Sequence, residues 1–155
     1  MKFEVEKTPT FSLSQTLNCG QVFRFREEGG VTVMHAGCHR AEARETADSY
    51  VFDCDDADFF KKYLDFDTNY DIIQLKTQDK GLVSAAIEFG KGIHILRQFP
   101  EETVFSFLVS QNNHIPRIKG IIERMCNALG RDMGGYRAFP KSGRLRMRGR
   151  ISFIR

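Results

Sequence analysis

The sequence predicts an α+β fold in which antiparallel strands come first and helices follow. Up to Cys54 apolar residues recur with a period of two, and beyond Asp55 they recur at helical spacing. Strand and helix segments are not interleaved, which argues against an alternating βαβ sheet.

The opening MKFEVEKTPT alternates charge with apolarity and lacks the apolar core of a signal peptide. In QVFRFR (21–26), Phe23 and Phe25 alternate with Arg24 and Arg26, the pattern of a half-buried strand. EEGG (27–30) is a turn signal and VTVM (31–34) resumes the extended pattern, so a hairpin is expected. SYVFDC (49–54), rich in aromatic and β-branched residues, predicts a further strand.

Past Asp55 the helices begin. Phe59, Phe60, Tyr63 and Leu64 share one face of a short helix whose start Asp55, Asp56 and Asp58 favour. Residues 79–89 form another candidate, stopped by Gly90 and Gly92. Pro100, Glu101 and Glu102 open a third, with proline in the first turn and carboxylates at the positive dipole end. Val104, Phe105, Phe107, Leu108 and Val109 make that helix almost wholly apolar, which predicts burial. A fourth helix begins near Pro116, carries Ile118, Ile121, Ile122, Met125 and Leu129 on one face, and ends at Gly130. Between the last two lies the polar loop QNNH (111–114), with Arg117 just inside the second helix. On pattern alone the plain reading is a connector with an asparagine capping the next helix; loops between rigid elements also carry function.

Composition excludes several classes. At 41% hydrophobic and 28% charged, the chain has the make-up of a globular protein. No stretch approaches the roughly 20 apolar residues of a membrane helix, so the cytoplasm is the expected compartment. Cys19, Cys38, Cys54 and Cys126 are scattered and expected to be reduced. His35, Cys38 and His39 come nearest to a metal cluster but fall short of about four ligands, so no metal or cofactor is expected. The net charge of +3 hides an asymmetry, because Lys141–Arg155 holds six basic residues and no acidic one. Such a tail suits phosphate binding or a solvated end.

The segment GIHILRQFPEETVFSFLVSQNNHIPRIKGIIERMCNALG (92–130) resembles the 8-oxoguanine DNA glycosylase/lyase family of helix-hairpin-helix glycosylases. FSLSQTLNCGQVFRFRE (11–27) is similar to that family's "GQ-x-FR" strand, and KKYLDFDTNYDI (61–72) matches in spacing and character. The resemblance implies an antiparallel domain like the TATA-binding-protein fold over residues 1–95. It implies the first helices of an incomplete helical glycosylase domain over 96–140, leaving 141–155 as a basic tail whose expected origin is non-native sequence.

It also implies roles. A base inside a duplex must be extruded before chemistry, at a cost of a few kcal/mol, and something must occupy its place. By resemblance Asn112 fills the gap and Arg117 contacts the orphaned cytosine, with Asn113 and His114 completing the loop. The family often has a third asparagine where His114 stands. The Gly20 carbonyl would accept the N7 hydrogen that 8-oxoguanine carries and guanine lacks. Gln21, Phe23 and Phe107 would lie in the same region, although core packing is the stronger reading for both phenylalanines.

In the family a lysine attacks the sugar C1′ to form a Schiff base, assisted by an aspartate, and both lie beyond a hairpin of the Leu-Pro-Gly-Val-Gly type. No such hairpin occurs in this sequence, and neither Lys119 nor Lys141 stands in that context. The expectation is therefore the front part of the enzyme, inactive alone, with a tail produced by a frameshift or premature stop. The expected partner is duplex DNA carrying 8-oxoguanine opposite cytosine, bound by a monomer. The alternatives are a standalone module for damaged DNA and an unrelated α+β scaffold. If the helical body is partial, Val104, Phe107, Ile118 and Ile122 are expected to lack cover.

Overall fold

The computed structural model describes residues 1–77 and 81–143. Residues 79–80 of the helix candidate at 79–89 and most of the basic tail lie outside that range. Five strands form one antiparallel sheet: β1 (Lys2–Glu6), β2 (Phe25–Glu28), β3 (Val31–Ala36), β4 (His39–Glu45) and β5 (Ser49–Cys54), in spatial order β1-β5-β4-β3-β2. The helices are α1 (Leu13–Asn18), α2 (Ala57–Tyr63), α3 (Tyr70–Thr77), α4 (Leu82–Phe89), α5 (Pro100–Ser110) and α6 (Ile115–Leu129). The α+β class holds. No helix among the described residues is long and apolar enough to cross a membrane.

The hairpin is present, but its first strand is shorter than expected. Glu28 pairs with Val31 around Gly29 and Gly30, both at positive φ, as a two-residue turn between twisted strands requires. The strand starts only at Phe25, with the Arg24 carbonyl still accepting the His35 N–H at 2.9 Å, so residues 21–23 run outside the ladder. The expected facing is also wrong at one position: Arg24 is buried, not solvent-facing.

β1 and β4 complete the sheet. β4 is rich in charge, yet Ala41 and Ala43 face the core, where neighbours on β3 and β5 close over them. With Met34, Ala36, Tyr50, Phe52 and Cys54 they form the sheet's inner face, covered by Leu13 and Leu17 of α1 and by Phe60, Tyr63 and Leu64 around α2. Asp56 caps α2 by accepting the Phe59 N–H at 2.9 Å. By contrast α3 and α4 contain no buried residue.

A second, smaller core gathers Ile118, Ile122, Met125, Cys126 and Leu129 of α6 with Phe139, against which Phe23, Phe105 and Val109 pack. Ile118 and Ile122 are therefore covered, contrary to expectation. Val104 and Phe107 are exposed as expected, and that exposure overturns the burial expected for the whole of α5, where Ser106 alone is buried.

Arg24 joins the two cores. Its guanidinium donates to the Gly37 carbonyl at 3.2 Å and the Arg137 carbonyl at 2.5 Å, and it stands 3.7 Å from the Glu102 carboxylate. Glu102, in the first turn of α5, also accepts the Gly37 N–H at 2.6 Å. Burial pushes the Glu102 carboxyl upward, against the pull of Arg24 and the Gly37 amide. Gly37 has φ 59° and lies against the Phe99 ring, so a side chain there meets both strain and collision.

A further latch holds the segment before α5. Asp65 accepts from Arg97 Nε at 2.6 Å, Tyr70 Oη at 2.8 Å and Thr68 Oγ1 at 3.0 Å, while Tyr70 Oη receives the Ile95 N–H. Burial works to raise the Asp65 carboxyl, but these hydrogen bonds outweigh it and hold it below its ordinary value.

Two expected outcomes follow for stability. Arg24→Ala leaves the Glu102 carboxylate buried without its cation and costs about 3–5 kcal/mol, measured by urea unfolding. Because Asp65 is depressed in the folded state, its contribution is complete above the unfolded carboxylate value and is lost as pH falls through the folded value. Unfolding followed from neutral to acid pH shows that loss, and Asp65→Asn shows a smaller one.

Candidate nucleic-acid interface

The loop between α5 and α6 is shaped by its own side chains. Asn113 Nδ2 donates to the Val109 carbonyl at 2.9 Å and the Gln111 carbonyl at 3.1 Å, while its N–H reaches the Ser110 carbonyl. Ser110 Oγ and Gln111 Nε2 both donate to the Phe107 carbonyl. These bonds satisfy acceptors that the end of a helix would otherwise leave open. His114, not an asparagine, caps α6: its Nδ1 accepts the Arg117 N–H at 3.3 Å.

Asn112 is left at the apex. It adopts φ 55°, in the left-handed region that asparagine tolerates better than most residues. It is exposed, and among the described residues its side-chain amide has no hydrogen-bond partner. Arg117, in the first turn of α6, is likewise exposed, with its guanidinium unpaired among the described residues. The loop thus presents a short amide and a guanidinium, both available to a ligand, on a base whose own backbone groups are occupied.

Gly20 occupies the turn after α1, exposed and at φ 92°, and no described residue donates a hydrogen bond to its carbonyl. A Cβ there would meet open space, so the backbone angle, not crowding, calls for glycine. Gln21 is the anchor of that turn. Its Nε2 donates to the Thr16 carbonyl at 2.9 Å and the His94 carbonyl at 2.8 Å, and its Oε1 accepts the Leu96 N–H at 3.0 Å. Thr16 repeats the link, donating to the Gly92 carbonyl and accepting the His94 N–H.

From Gln21 the chain runs onto α6. Phe23 packs into the second core with Val109 and Ile118, which flank the loop. Lys119 Nζ lies 3.5 Å from the centre of the Phe25 ring and donates to the Phe25 carbonyl. Burial holds the Lys119 amine below its ordinary value. The core role expected of Phe23 agrees with this packing. Phe107 is different: it is 64% exposed and belongs to neither core.

His35, Cys38 and His39 are not gathered on an ion; among the described residues no group of three His, Cys, Asp or Glu side chains could hold a metal. Burial, aided by Arg24, lowers the His35 imidazole to about 4, so it is neutral at physiological pH. The structural weight on Arg24 and Glu102 was missed in the sequence. No local signal marked it, because Arg24 sits where the alternation with Phe23 and Phe25 places a polar residue.

Sheet, helices and exposed loop together define an α+β fold, and comparison with known proteins gives the family. The family model described as "8-oxoguanine DNA glycosylase, N-terminal domain" matches residues 2–104, and the chain belongs to that family. The N-glycosylase/DNA lyase of Saccharomyces cerevisiae is 34% identical over 111 residues, covering 63% of this chain and 28% of the yeast protein. Among solved structures, MBOgg1 in complex with a low-affinity DNA ligand aligns at TM-score 0.84 and 34% identity, covering 96% of this chain and 54% of that one. The Clostridium acetobutylicum 8-oxoguanine glycosylase/lyase, in complex with duplex DNA containing cytosine opposite 8-oxoguanine, aligns at TM-score 0.81 and 29% identity, covering 95% of this chain and 57% of that one. The chain therefore spans little more than half the length of these solved relatives, and about a quarter of the yeast protein.

The anchoring of Gly20 can be checked directly. Gln21→Leu removes three hydrogen bonds and leaves buried partners open, which costs about 1–3 kcal/mol. Amide hydrogen exchange at Leu96 accelerates, while exchange in β4 and β5 changes only by the global loss.

Proposed function

We propose that this chain is the lesion-reading part of an 8-oxoguanine DNA glycosylase that acts by base flipping. In this reading, residues 1–95 form the N-terminal domain and 96–140 the opening of the helical glycosylase domain. The partner is duplex DNA with 8-oxoguanine opposite cytosine, bound by a monomer. The observation that carries the reading is the loop at 111–114: an exposed amide at Asn112 and an exposed guanidinium at Arg117, neither with a partner among the described residues.

Asn112 fills the slot left by the rotated-out nucleotide, where a short stem with donors and an acceptor can pair locally. Arg117 offers its rigid fan of donors to the acceptor edge of the abandoned cytosine. The Gly20 carbonyl accepts the N7 hydrogen of the lesion, whereas guanine would face it with an acceptor and leave both unpaired. Asn113 and Gln21 have a supporting part. Their amides are already spent within the protein, so Asn113 shapes the loop and Gln21 sets the Gly20 turn. Phe107, exposed beside the loop, is free to meet DNA or base.

Chemistry is a separate matter. Cleavage needs an activated amine with an assisting group, and Lys119 is engaged with Phe25 instead. In this reading the chain alone binds DNA and forms no Schiff base. The second reading, a binding module without chemistry, describes the same isolated chain and differs only in denying it a place in a glycosylase.

Fluorescence anisotropy with matched duplexes tests the proposal. The chain prefers 8-oxoguanine:cytosine over guanine:cytosine; Arg117→Ala weakens binding by about 1–3 kcal/mol, and Asn112→Ala reduces the preference for the lesion. Equal affinity for both duplexes, unchanged by either substitution, would sink the assignment. Borohydride yields no trapped adduct with the chain alone.

A further inference from the structure

His114 uses only one side of its ring within the protein. It is the N-cap of α6, in extended backbone at φ −88° and ψ 155°, and its Nδ1 accepts the Arg117 N–H at 3.3 Å. An imidazole nitrogen accepts only when it carries no proton, and the hydrogen bond made by one ring nitrogen sets the state of the other. The cap therefore selects the neutral ring with its hydrogen on Nε2. The two nitrogens of an imidazole point in divergent directions, so with Nδ1 turned to the helix end the Nε2–H faces away from it. His114 is exposed, and among the described residues nothing accepts from Nε2.

The other polar side chains of the loop fall into two groups. Gln111 and Asn113 engage their amides with the loop's own carbonyls, whereas Asn112 and Arg117 are open. His114 belongs to both groups, because one nitrogen shapes the loop and the other is free. The first turn of α6 has no acidic residue, so no carboxylate of that turn competes for the Nε2–H or repels an anion beside it. We propose that His114 is a DNA phosphate contact, donating from Nε2 as a neutral imidazole to a non-bridging oxygen next to the orphaned cytosine. A phosphate is the acceptor because Asn112, at the apex, is the residue that enters the base stack. His114 stands two positions further on, at the foot of the loop, where the sugar-phosphate backbone passes. Phosphate contacts fix the register of a protein on its duplex without reading sequence. The same ring that caps Arg117's own N–H thus holds the strand that Arg117 reads.

The inference rests on the lesion-reading proposal for the face that meets DNA, and its test separates the two. In the free 155-residue chain, nitrogen chemical shifts of the His114 ring are expected to place the hydrogen on Nε2; a hydrogen on Nδ1 overturns the inference without any DNA. His114→Ser keeps a capping oxygen but loses the reach of Nε2. It binds 8-oxoguanine:cytosine and guanine:cytosine duplexes more weakly by the same factor, about three- to tenfold, the size of one hydrogen bond. The slope of affinity against salt is unchanged, since a neutral donor displaces no counterion. Phosphates around the orphaned cytosine are then replaced singly by methylphosphonates, and at one position the replacement weakens the native chain more than His114→Ser, by about that same factor. Three results overturn the inference: undiminished affinity of His114→Ser, replacements that weaken both chains equally at every position, and a salt slope that falls by about one, which marks a cationic ring. Equal affinity for the two duplexes with the methylphosphonate coupling intact sinks the lesion reading and leaves the phosphate contact standing.

Discussion

A single buried guanidinium holds the architecture together. Arg24 sits just before β2 and its side chain reaches the β3–β4 turn at Gly37, the segment after α6 at Arg137 and the first turn of α5 at Glu102. Each of these segments ends with polar backbone groups that packing alone would leave open. A planar cation with donors in several directions can satisfy two carbonyls while facing a carboxylate. Its desolvation is costly, and the arrangement is tolerable because partners surround it. Gly37 is used twice, giving its carbonyl to Arg24 and its N–H to Glu102, so the sheet's turn and the start of α5 cannot separate without breaking both.

That constraint sets where the loop at 111–114 stands. α5 is fixed at its first turn by Glu102 and along its inner row by Phe105 and Val109; α6 is fixed by its own core face. The loop joins two helices whose positions are determined elsewhere, and its conformation is closed by Asn113, Ser110, Gln111 and His114. Little freedom is left to freeze when a ligand arrives, and less ordering cost means more of the contact energy appears as affinity. The Gly20 turn is treated in the same way by Gln21 and Thr16.

Particular residues show how far the sequence could be read. The helices opening at Pro100 and at Pro116 were legible because capping chemistry and a regular apolar period coincide there. β5 was legible from its aromatic and β-branched content. β4 was not, since HRAEARE puts only two alanines toward the core and its strand state comes from the neighbours that pair with it. α1 is too short to show a period, and Arg24 fits the outward position of the alternation with Phe23 and Phe25, so nothing local announces its burial. Of the candidate site, Asn112, Arg117 and Gly20 were named from resemblance. The engagement of Asn113 and Gln21 within the protein could not be seen, because it depends on carbonyls distant in sequence.

The α+β class, the later helices with the hinge between the last two, and the family were determined by the sequence itself, because they rest on local periodicity, caps and ordered motifs; α1, which interrupts the strands between β1 and β2, was not. Which face of α5 is covered, which arginine is buried and which amides remain free were decided only by the tertiary structure. Those properties belong to contacts between residues tens of positions apart, such as Arg24 with Arg137 or Gln21 with Leu96. An apolar pattern states that a helix wants cover on two sides, and only the packed chain shows that α6 supplies one of them.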